Sequence, residues 1–471
     1  MIHLIYCRDE DNVIGVQGDL AIRFKEDLKR FKEITCFSYT EKQNILVMGY
    51  NTWVSLGKKP LPNRHNIVIT KNHYLEFSLG QAFISLDNFF EWYKQNKSQW
   101  GYVFMIGGAS IYYECMVNHE DKIAKIYETL VLGSHVNSKQ AVRFKPDHSQ
   151  FKIIECQQSQ TTGLIKDSGL GDWIHKQIEY KFITLQNIRT VNPEEQEYLH
   201  SMKHILTLPE TPSRNGPVMS QFGLKLTFDL RNGFPLLTTK RMGWKTILRE
   251  LIWFIQGSTN NQELIDNKVS IWTQNAEEYH TRSEYKLGDL GPIYGFQWRH
   301  FGAQYNGCDS SYKSQGVDQL QWIIDEIKRN PQSRRLVLSA WNPVDIPNMA
   351  LPPCHVMVQF YVEKEYIDAQ MYQRSGDMFL GVPFNISSYS FLLHIVGALT
   401  GYKPRMFHHI LGDAHIYQSH IDAVTMQIQR YPVKFPTLTM QPIESLEDVS
   451  EDKFSIEGYT CQDRIKAPMI T

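Results

Sequence analysis

Leu351-Pro352-Pro353-Cys354-His355 sets a thiol directly after two prolines, which fix the local backbone and remove two peptide N–H donors. An arginine pair, Arg334-Arg335, lies upstream of it, and a further arginine, in Tyr372-Gln373-Arg374-Ser375, lies downstream. Cysteine attacks as the thiolate, and a guanidinium beside it lowers its pKa, so the arrangement suits a nucleophile. A lone cysteine is also often a buried structural residue, and the residues around this one have to decide between the two. The 471-residue chain is long enough for two to four domains. A net charge of −1 gives no general affinity for nucleic acid or anionic membrane. Seven cysteines without a C-x-x-C pair argue against a disulfide framework or a zinc site. Met1 to Asp9 is too short in apolar run for a signal peptide, and no run of about 18 apolar residues occurs. The expectation is a protein of a reducing compartment, the cytoplasm, that crosses no membrane.

Working outward through the second half, Gly243 to Ile255 has helical periodicity and is apolar over most of its circumference, with Glu250 at the margin of that face. A carboxyl there has a raised pKa if it is buried, or is a rim residue if it is not. Val317 to Lys328 is an amphipathic helix stopped by Asn330-Pro331. Arg334-Arg335 then open a strand running to Ser339, where successive side chains point opposite ways, so one of the pair is free to be a surface charge. His408-His409 are adjacent, the wrong spacing for two ligands on one helix face; they read as structural and no metal is called for.

In the first half, Ile2–Tyr6, Ile45–Gly49, Asn66–Thr70 and Val103–Ile106 read as buried strands, and Val13-Ile14-Gly15 as a turn. Phe24 to Ile34 is helical, with Phe24, Leu28, Phe31 and Ile34 on one face. Asp27 lies on that same face, where desolvation raises a carboxyl pKa and suits it to proton transfer; acids are also common at helix starts as solvated charges. Ile106 runs into Gly107-Gly108 and a helix, an arrangement that cradles phosphate, although Gly-Gly alone is a weak signal. Strands alternating with helices predict a mainly parallel α/β sheet. Gln157 to Asp172 is polar with three glycines and reads as a hairpin loop, Trp173 to Ile183 as a last strand, and 186–196 as a short linker.

Ser333-Arg334-Arg335, Ser339-Ala340-Trp341-Asn342, Ala350 to His355, Gln373-Arg374-Ser375-Gly376-Asp377, Gly381-Val382-Pro383-Phe384-Asn385 and Gly412 to Tyr417 resemble the thymidylate synthase family in order and spacing. The resemblance covers residues 197–471 and implies an α+β domain. It implies Cys354 as nucleophile, Glu250 as the general acid/base, and Tyr294 in the hydrogen-bond network by the pyrimidine of dUMP. Arg214, Arg374 and Ser375 would grip the dUMP phosphate, joined by Arg334 and Arg335 of the other subunit of a homodimer. Asp377 is implied in the dUMP and folate sites, Asn385 on the uracil, His415 and Tyr417 on the ribose, and Trp272 and Asn275 against the folate. In the loop after Arg214, Asn215 replaces a threonine, and Pro217 to Gly223 is one residue short of the family pattern.

Residues 1–185 are similar to the dihydrofolate reductase family, on Asn12-Val13-Ile14-Gly15, Asp27-Leu28 with Phe31, Val47-Met48-Gly49 with Thr52-Trp53, Pro60 to Arg64, Ile106-Gly107-Gly108 and Tyr127-Glu128-Thr129. The resemblance implies Asp27 for the pterin with Thr129 assisting, Phe31 on the ring, and Arg64 for the folate glutamate. Asn51, Thr52, Gly107, Gly108, Ala109 and Ser110 would lie along NADPH. Ala21-Ile22 stands where the family has Pro-Trp. Tyr50 replaces the basic residue that grips the cofactor's 2′-phosphate, which leaves Lys71 to pair with it. Together the two resemblances imply one chain that methylates dUMP with 5,10-methylenetetrahydrofolate and reduces the dihydrofolate released. The alternative is an active synthase carrying a non-catalytic, reductase-like scaffold.

Overall fold

The computed structural model describes residues 2–38, 42–71, 80–136, 138–166, 172–187 and 191–470. The chain divides into two compact units, residues 1–191 and 192–471.

The first unit carries β1 (Ile2–Asp9), β2 (Val13–Val16), β3 (Asp19–Leu20), β4 (Ile22–Arg23), α1 (Lys25–Cys36), β5 (Ile45–Gly49), α2 (Tyr50–Ser55), β6 (His65–Ile69), β7 (Gly80–Phe83), α3 (Leu86–Asn96), β8 (Val103–Met105), α4 (Ala109–Asn118), β9 (Ile123–Val131), β10 (Ala141–Arg143), β11 (Phe151–Lys166) and β12 (Trp173–Asn187). Its main sheet has the order β4-β11-β12-β9-β1-β8-β5-β6-β7. From β9 to β7 every pairing is parallel, and β12, β11 and β4 add antiparallel strands at one edge. Ile45, Leu46, Val47 and Met48 are all fully buried because helices cover both faces. Ile45 and Val47 face α3 and α4, whereas Leu46 and Met48 face Trp53 of α2 and Phe31 and Ile34 of α1.

Three expectations need correcting. Val13-Ile14-Gly15 is part of strand β2, paired with β10 and β3, and the turns flank it. The stretch from Gln157 to Lys166 is the second half of strand β11, paired with β12 throughout; residues 167–171 lie outside the described residues. The apolar face of α1 is only half covered: Phe24 is buried, but Phe31 and Ile34 are partly open and Leu28 is 49% exposed. An apolar stripe left open beside Asp27 is a surface that apolar rings can occupy.

The second unit begins with α5 (Pro193–Ile205), capped by the Asn192 side chain, which accepts from the amides of Glu194 and Glu195. It continues with β13 (Glu210–Thr211), β14 (Val218–Asp229), α6 (Trp244–Ile255), α7 (Asn261–Asp266), α8 (Thr273–His280), α9 (Tyr294–His300), α10 (Gln319–Arg329), β15 (Val337–Ser339), β16 (His355–Glu363), β17 (Tyr366–Asp377), α11 (Gly381–Thr400), β18 (Lys403–Tyr417) and α12 (Ile421–Ile428). The sheet order is β13-β14-β18-β17-β16-β15, with β17 and β18 the parallel pair. Helix α11 is apolar and long enough to cross a membrane, but 83% of its apolar window is buried against the sheet and α6. Two of its buried hydroxyls have clear partners: Ser390 donates to Ile386 O one turn back, and Ser387 donates to Pro235 O outside the helix. Register then decides what meets: His355 pairs with Gln373, Ser375 with Asp413, and Asp377 with His415. One end of three neighbouring strands therefore collects Cys354, Arg374, Ser375, Asp377, His415 and Tyr417.

Candidate active sites

In the second unit, Cys354 sits at the entrance to β16 and is tied from both sides. Its amide donates to Tyr294 Oη at 2.7 Å, and its carbonyl accepts from the Arg374 amide at 2.9 Å. Arg374 Nε and Nη2 donate to Pro353 O (2.9 Å) and Pro352 O (2.8 Å), so the proline pair is the ledge that aims this guanidinium. Arg374 also lies over the Trp341 ring, 5.7 Å from its centroid. The sequence leads one to expect a thiol pKa lowered by arginine. Instead burial pushes the Cys354 thiol up, and Arg374 and Arg214 act against that rise without overcoming it. Arg214 is exposed on its loop, with Nε bonded to Asn215 Oδ1 at 3.0 Å.

Glu250 is buried in α6, and its carboxyl is pushed up to about 7 by desolvation, against which the Trp272 indole N–H, 2.7 Å from Oε1, acts. A carboxyl poised near neutrality can both give and take a proton. Tyr294 lies edge-on to Trp272 and 4.9 Å from the His355 ring. His355 Nε2 is 2.7 Å from Asn385 Nδ2, and burial holds this imidazole down to about 3, so it is neutral and accepts from the amide. That bond fixes the orientation of Asn385. Asn275 is half-buried on α8, one turn on from Trp272.

Asp377 closes β17. Burial alone would raise its carboxyl, but His420 and the amides of Phe379 and Leu380 outweigh this and hold it below the usual range. His420 is buried, 3.5 Å from Asp377 Oδ1, and its Nε2 is 2.8 Å from Pro468 O. Lys240 donates to Phe379 O near the same carboxylate, and desolvation brings its ammonium down to about 7. His415 is buried at β18, edge-on to the half-buried Tyr417.

Arg334 and Arg335 do not open a strand. They sit in the loop before β15, both exposed, with no side-chain hydrogen bond or ion pair among the described residues. Helix α10 ends at Arg329, before Asn330-Pro331 as expected, but the strand starts only at Val337, which leaves a loop where alternation was expected. His408 and His409 lie on strand β18, not on a helix; His409 bonds Gln373 Oε1 at 2.8 Å and His408 contacts Thr227 Oγ1 at 3.3 Å.

In the first unit, Asp27 is in the first turn of α1 and accepts from Thr129 Oγ1 at 2.6 Å. Desolvation raises the Asp27 carboxyl, opposed by the Thr129 hydroxyl and the Arg30 charge. Phe31 follows one turn later and packs on the cluster that contains Trp53 and Phe104. Arg64 is buried and already engaged, with Nε on Pro62 O (2.9 Å) and Nη1 on Thr35 Oγ1 (2.8 Å). The carboxyl end of β8 delivers Gly107 and Gly108 to the start of α4, which has no side-chain cap. Gly107 has φ +120°, and a Cβ there would lie 3.2 Å from Tyr112 Oη and 3.5 Å from Thr52 Oγ1. Uncapped amides at Ala109 and Ser110 suit the phosphates of a dinucleotide, beyond the carboxyl ends of parallel strands where such ligands bind. Asn51 is exposed on α2 next to Thr52, and Lys71 is exposed just past β6, beside residues 72–79 that lie outside the described set. Ala21 and Ile22 are buried in the core cluster around Tyr180.

Sequence reasoning passed over Arg30, Lys240, His355 as an active group, and His420. Only Arg30 left a local signal, being three residues after Asp27 on one helix face.

A thymidylate synthase family model matches residues 196–471, and a dihydrofolate reductase family model matches residues 1–164. A bifunctional dihydrofolate reductase-thymidylate synthase of Paramecium tetraurelia is 37% identical over 466 residues, covering 97% of this chain and 96% of the relative. Its namesake in Zea mays is 36% identical over 498 residues, covering 98% and 95%. The thymidylate synthase of Homo sapiens is 50% identical over 285 residues, which take in 58% of this chain and 90% of that protein. Two family models in tandem, and relatives that carry both names over almost their full length, assign the chain to the bifunctional dihydrofolate reductase–thymidylate synthase family.

Proposed function

We propose that the two units divide one cycle between them, with Cys354 and Asp27 as their reacting groups. The chain makes dTMP from dUMP and 5,10-methylenetetrahydrofolate, which supplies both the one-carbon unit and a hydride, and it reduces the dihydrofolate so formed. In the synthase unit, Cys354 Sγ forms a bond to C6 of dUMP, and the ring's electrons move toward the C4 carbonyl so that C5 becomes the nucleophile. Glu250, near neutrality in its pocket, moves protons at that carbonyl and at the folate. Asn385, oriented by His355, meets a donor and an acceptor on the pyrimidine edge. Arg214, Arg374 and Ser375 hold the phosphate, and His415 and Tyr417 the ribose. Trp272, Asn275 and Asp377 face the folate, and Tyr294 keeps the Cys354 amide in place. A phosphate dianion arriving among Arg374 and Arg214 also brings those guanidinium groups to order beside the thiol.

Arg334 and Arg335, exposed and without a side-chain hydrogen bond or ion pair among the described residues, would reach the phosphate of a second subunit, which makes the working form a homodimer. In the reductase unit, Asp27 with Thr129 serves the pterin, Phe31 and the open stripe of α1 take the ring, and Arg64 the glutamate carboxylate. NADPH supplies the hydride when bound. Asn51, Thr52, Gly107, Gly108, Ala109 and Ser110 would hold it, with Lys71 available to its 2′-phosphate. All seven cysteines are free thiols, in keeping with a reducing, cytoplasmic setting.

The observation that carries the synthase reading is the Pro352-Pro353 ledge, which ties Cys354 to Arg374 through two guanidinium hydrogen bonds. The test is Cys354→Ser. A serine hydroxyl ionises far above a thiol, so dTMP formation falls below a few percent of the parent, roughly, while dihydrofolate reduction in the other unit stays near parental. Retention of dTMP synthesis would remove Cys354 from the reaction.

A further inference from the structure

The helix that carries Asp27 also carries Arg30, and Arg30 has no assigned part in the reductase site. Its guanidinium is partly buried and reaches across to the sheet. Nη1 donates to Thr129 Oγ1 at 3.2 Å and to Glu128 O at 3.1 Å, and Nη2 donates to Ile183 O at 3.2 Å. The group lies 4.6 Å from the centroid of the Phe182 ring and 6.0 Å from that of Tyr127. Three hydrogen bonds and two rings leave it little freedom.

The consequence lies in the proton count at Thr129. A hydroxyl has one proton to give and lone pairs to receive with. Arginine is a donor only, so toward Arg30 the Thr129 oxygen must accept. Its proton is then directed at Asp27 Oδ1, 2.6 Å away. A hydrogen bond given to a carboxylate favours the charged form, as does a cation nearby.

We propose that Arg30 is a positioning residue of the reductase site, which forces the Thr129 hydroxyl to donate to Asp27 and so favours the ionised form of that carboxyl against the burial that disfavours it. This rests on Asp27 being the proton-handling group. The other titratable groups facing the pair do not supply a cation in its place. Cys7 on β1 has a thiol pushed well up by burial and stays neutral, as does Tyr112 on α4. Glu155 on β11 and Tyr127 on β9 act on the Arg30 side, and both favour its charge. Burial and Arg30 therefore pull Asp27 in opposite directions, and the pH at which it changes state is set by their difference. Arg30 is also a strut, since two of its bonds go to the carbonyls of Glu128 and Ile183, and the test must separate the two roles.

The experiment is the pH profile of dihydrofolate reduction in the full-length enzyme, for the parent, Arg30→Met, Arg30→Lys, Thr129→Val and Asp27→Asn, with folding checked by circular dichroism. With Asp27 as the proton source, the rate falls as pH rises through its apparent pKa. Arg30→Met removes the cation and the donor, so that midpoint moves up by about one pH unit, the size of a single adjacent charge. Thr129→Val moves it the same way, and Arg30→Lys brings it back toward the parent. A lost strut alone lowers the rate at every pH without moving the midpoint. An unmoved midpoint in Arg30→Met overturns the proposal; if that variant does not fold, an unmoved midpoint in Thr129→Val does so. A midpoint that survives Asp27→Asn unchanged overturns the Asp27 reading and this proposal together, whereas one that vanishes in Asp27→Asn but stays put in Arg30→Met overturns only the role of Arg30.

Discussion

Two carboxyls, Asp27 and Glu250, are lifted by burial, and each is answered by one short hydrogen bond, from Thr129 Oγ1 at 2.6 Å and from Trp272 Nε1 at 2.7 Å. Both were legible in the sequence, because a carboxylate on or beside an apolar helix face carries its own signal. Their partners come from other elements and were visible only through family resemblance. His355 and His420 were not legible at all, since nothing local distinguishes a histidine that orients Asn385 or touches Pro468 from one that packs. The pKa of Cys354 went the other way from the sequence argument, because counting nearby arginines does not count the water excluded from the thiol. Asp27 carries the prediction at this scale. In Asp27→Asn the amide supplies no proton, so reduction of dihydrofolate falls by orders of magnitude and the rate recovers in part as pH is lowered, when solvent pre-protonates the substrate. The measurement is the initial rate across pH; a profile parallel to the parent's would take Asp27 off the proton path.

At the scale of elements, the buried strands β1, β5, β6 and β8 announced themselves as short, mostly apolar runs, which burial on both faces favours. Strand β11 did not, because Lys152 to Gln160 is solvent-exposed along its whole length and so has no apolar alternation to read. The loop before β15 was mistaken for a strand because its arginines continue into Leu336-Val337-Leu338 without a break in sequence. The Gly107-Gly108 junction between β8 and α4 joins a strand end, a positive φ and a helix start without a side-chain cap, the place proposed above for the cofactor's phosphates. Gly107→Ala puts a methyl into that place and onto a backbone at φ +120°, which L-residues rarely adopt. The KM for NADPH rises about tenfold or more, as loss of roughly 1.4 kcal/mol or more of binding requires, while dTMP formation is unaffected. A KM equal to the parent's would move the cofactor elsewhere.

At the scale of the whole molecule, the order of the units and their place in the chain could be read directly, since each motif set stays within its own half. The proposed homodimer, in which the exposed Arg334 and Arg335 reach the phosphate held by a second subunit, carries the prediction at this scale. Arg335→Ala and Cys354→Ser, each unable to make dTMP alone, complement one another when mixed and allowed to exchange subunits. In a mixed dimer one site takes its thiol from one chain and its arginine from the other. Random exchange makes about half the dimers mixed, each with one good site of two, so activity returns to about a quarter of the parent's. Exchange confirmed with differently tagged chains and no rescue would sink the shared site. The most direct test of the central claim, that one chain runs both halves of the cycle, gives the purified protein dUMP, NADPH and a limiting amount of 5,10-methylenetetrahydrofolate, and follows dTMP and NADPH together. The account predicts one NADPH oxidised for each dTMP formed, none without dUMP, and none in Cys354→Ser; dTMP formed with no NADPH consumed would contradict it and leave the reductase unit a scaffold.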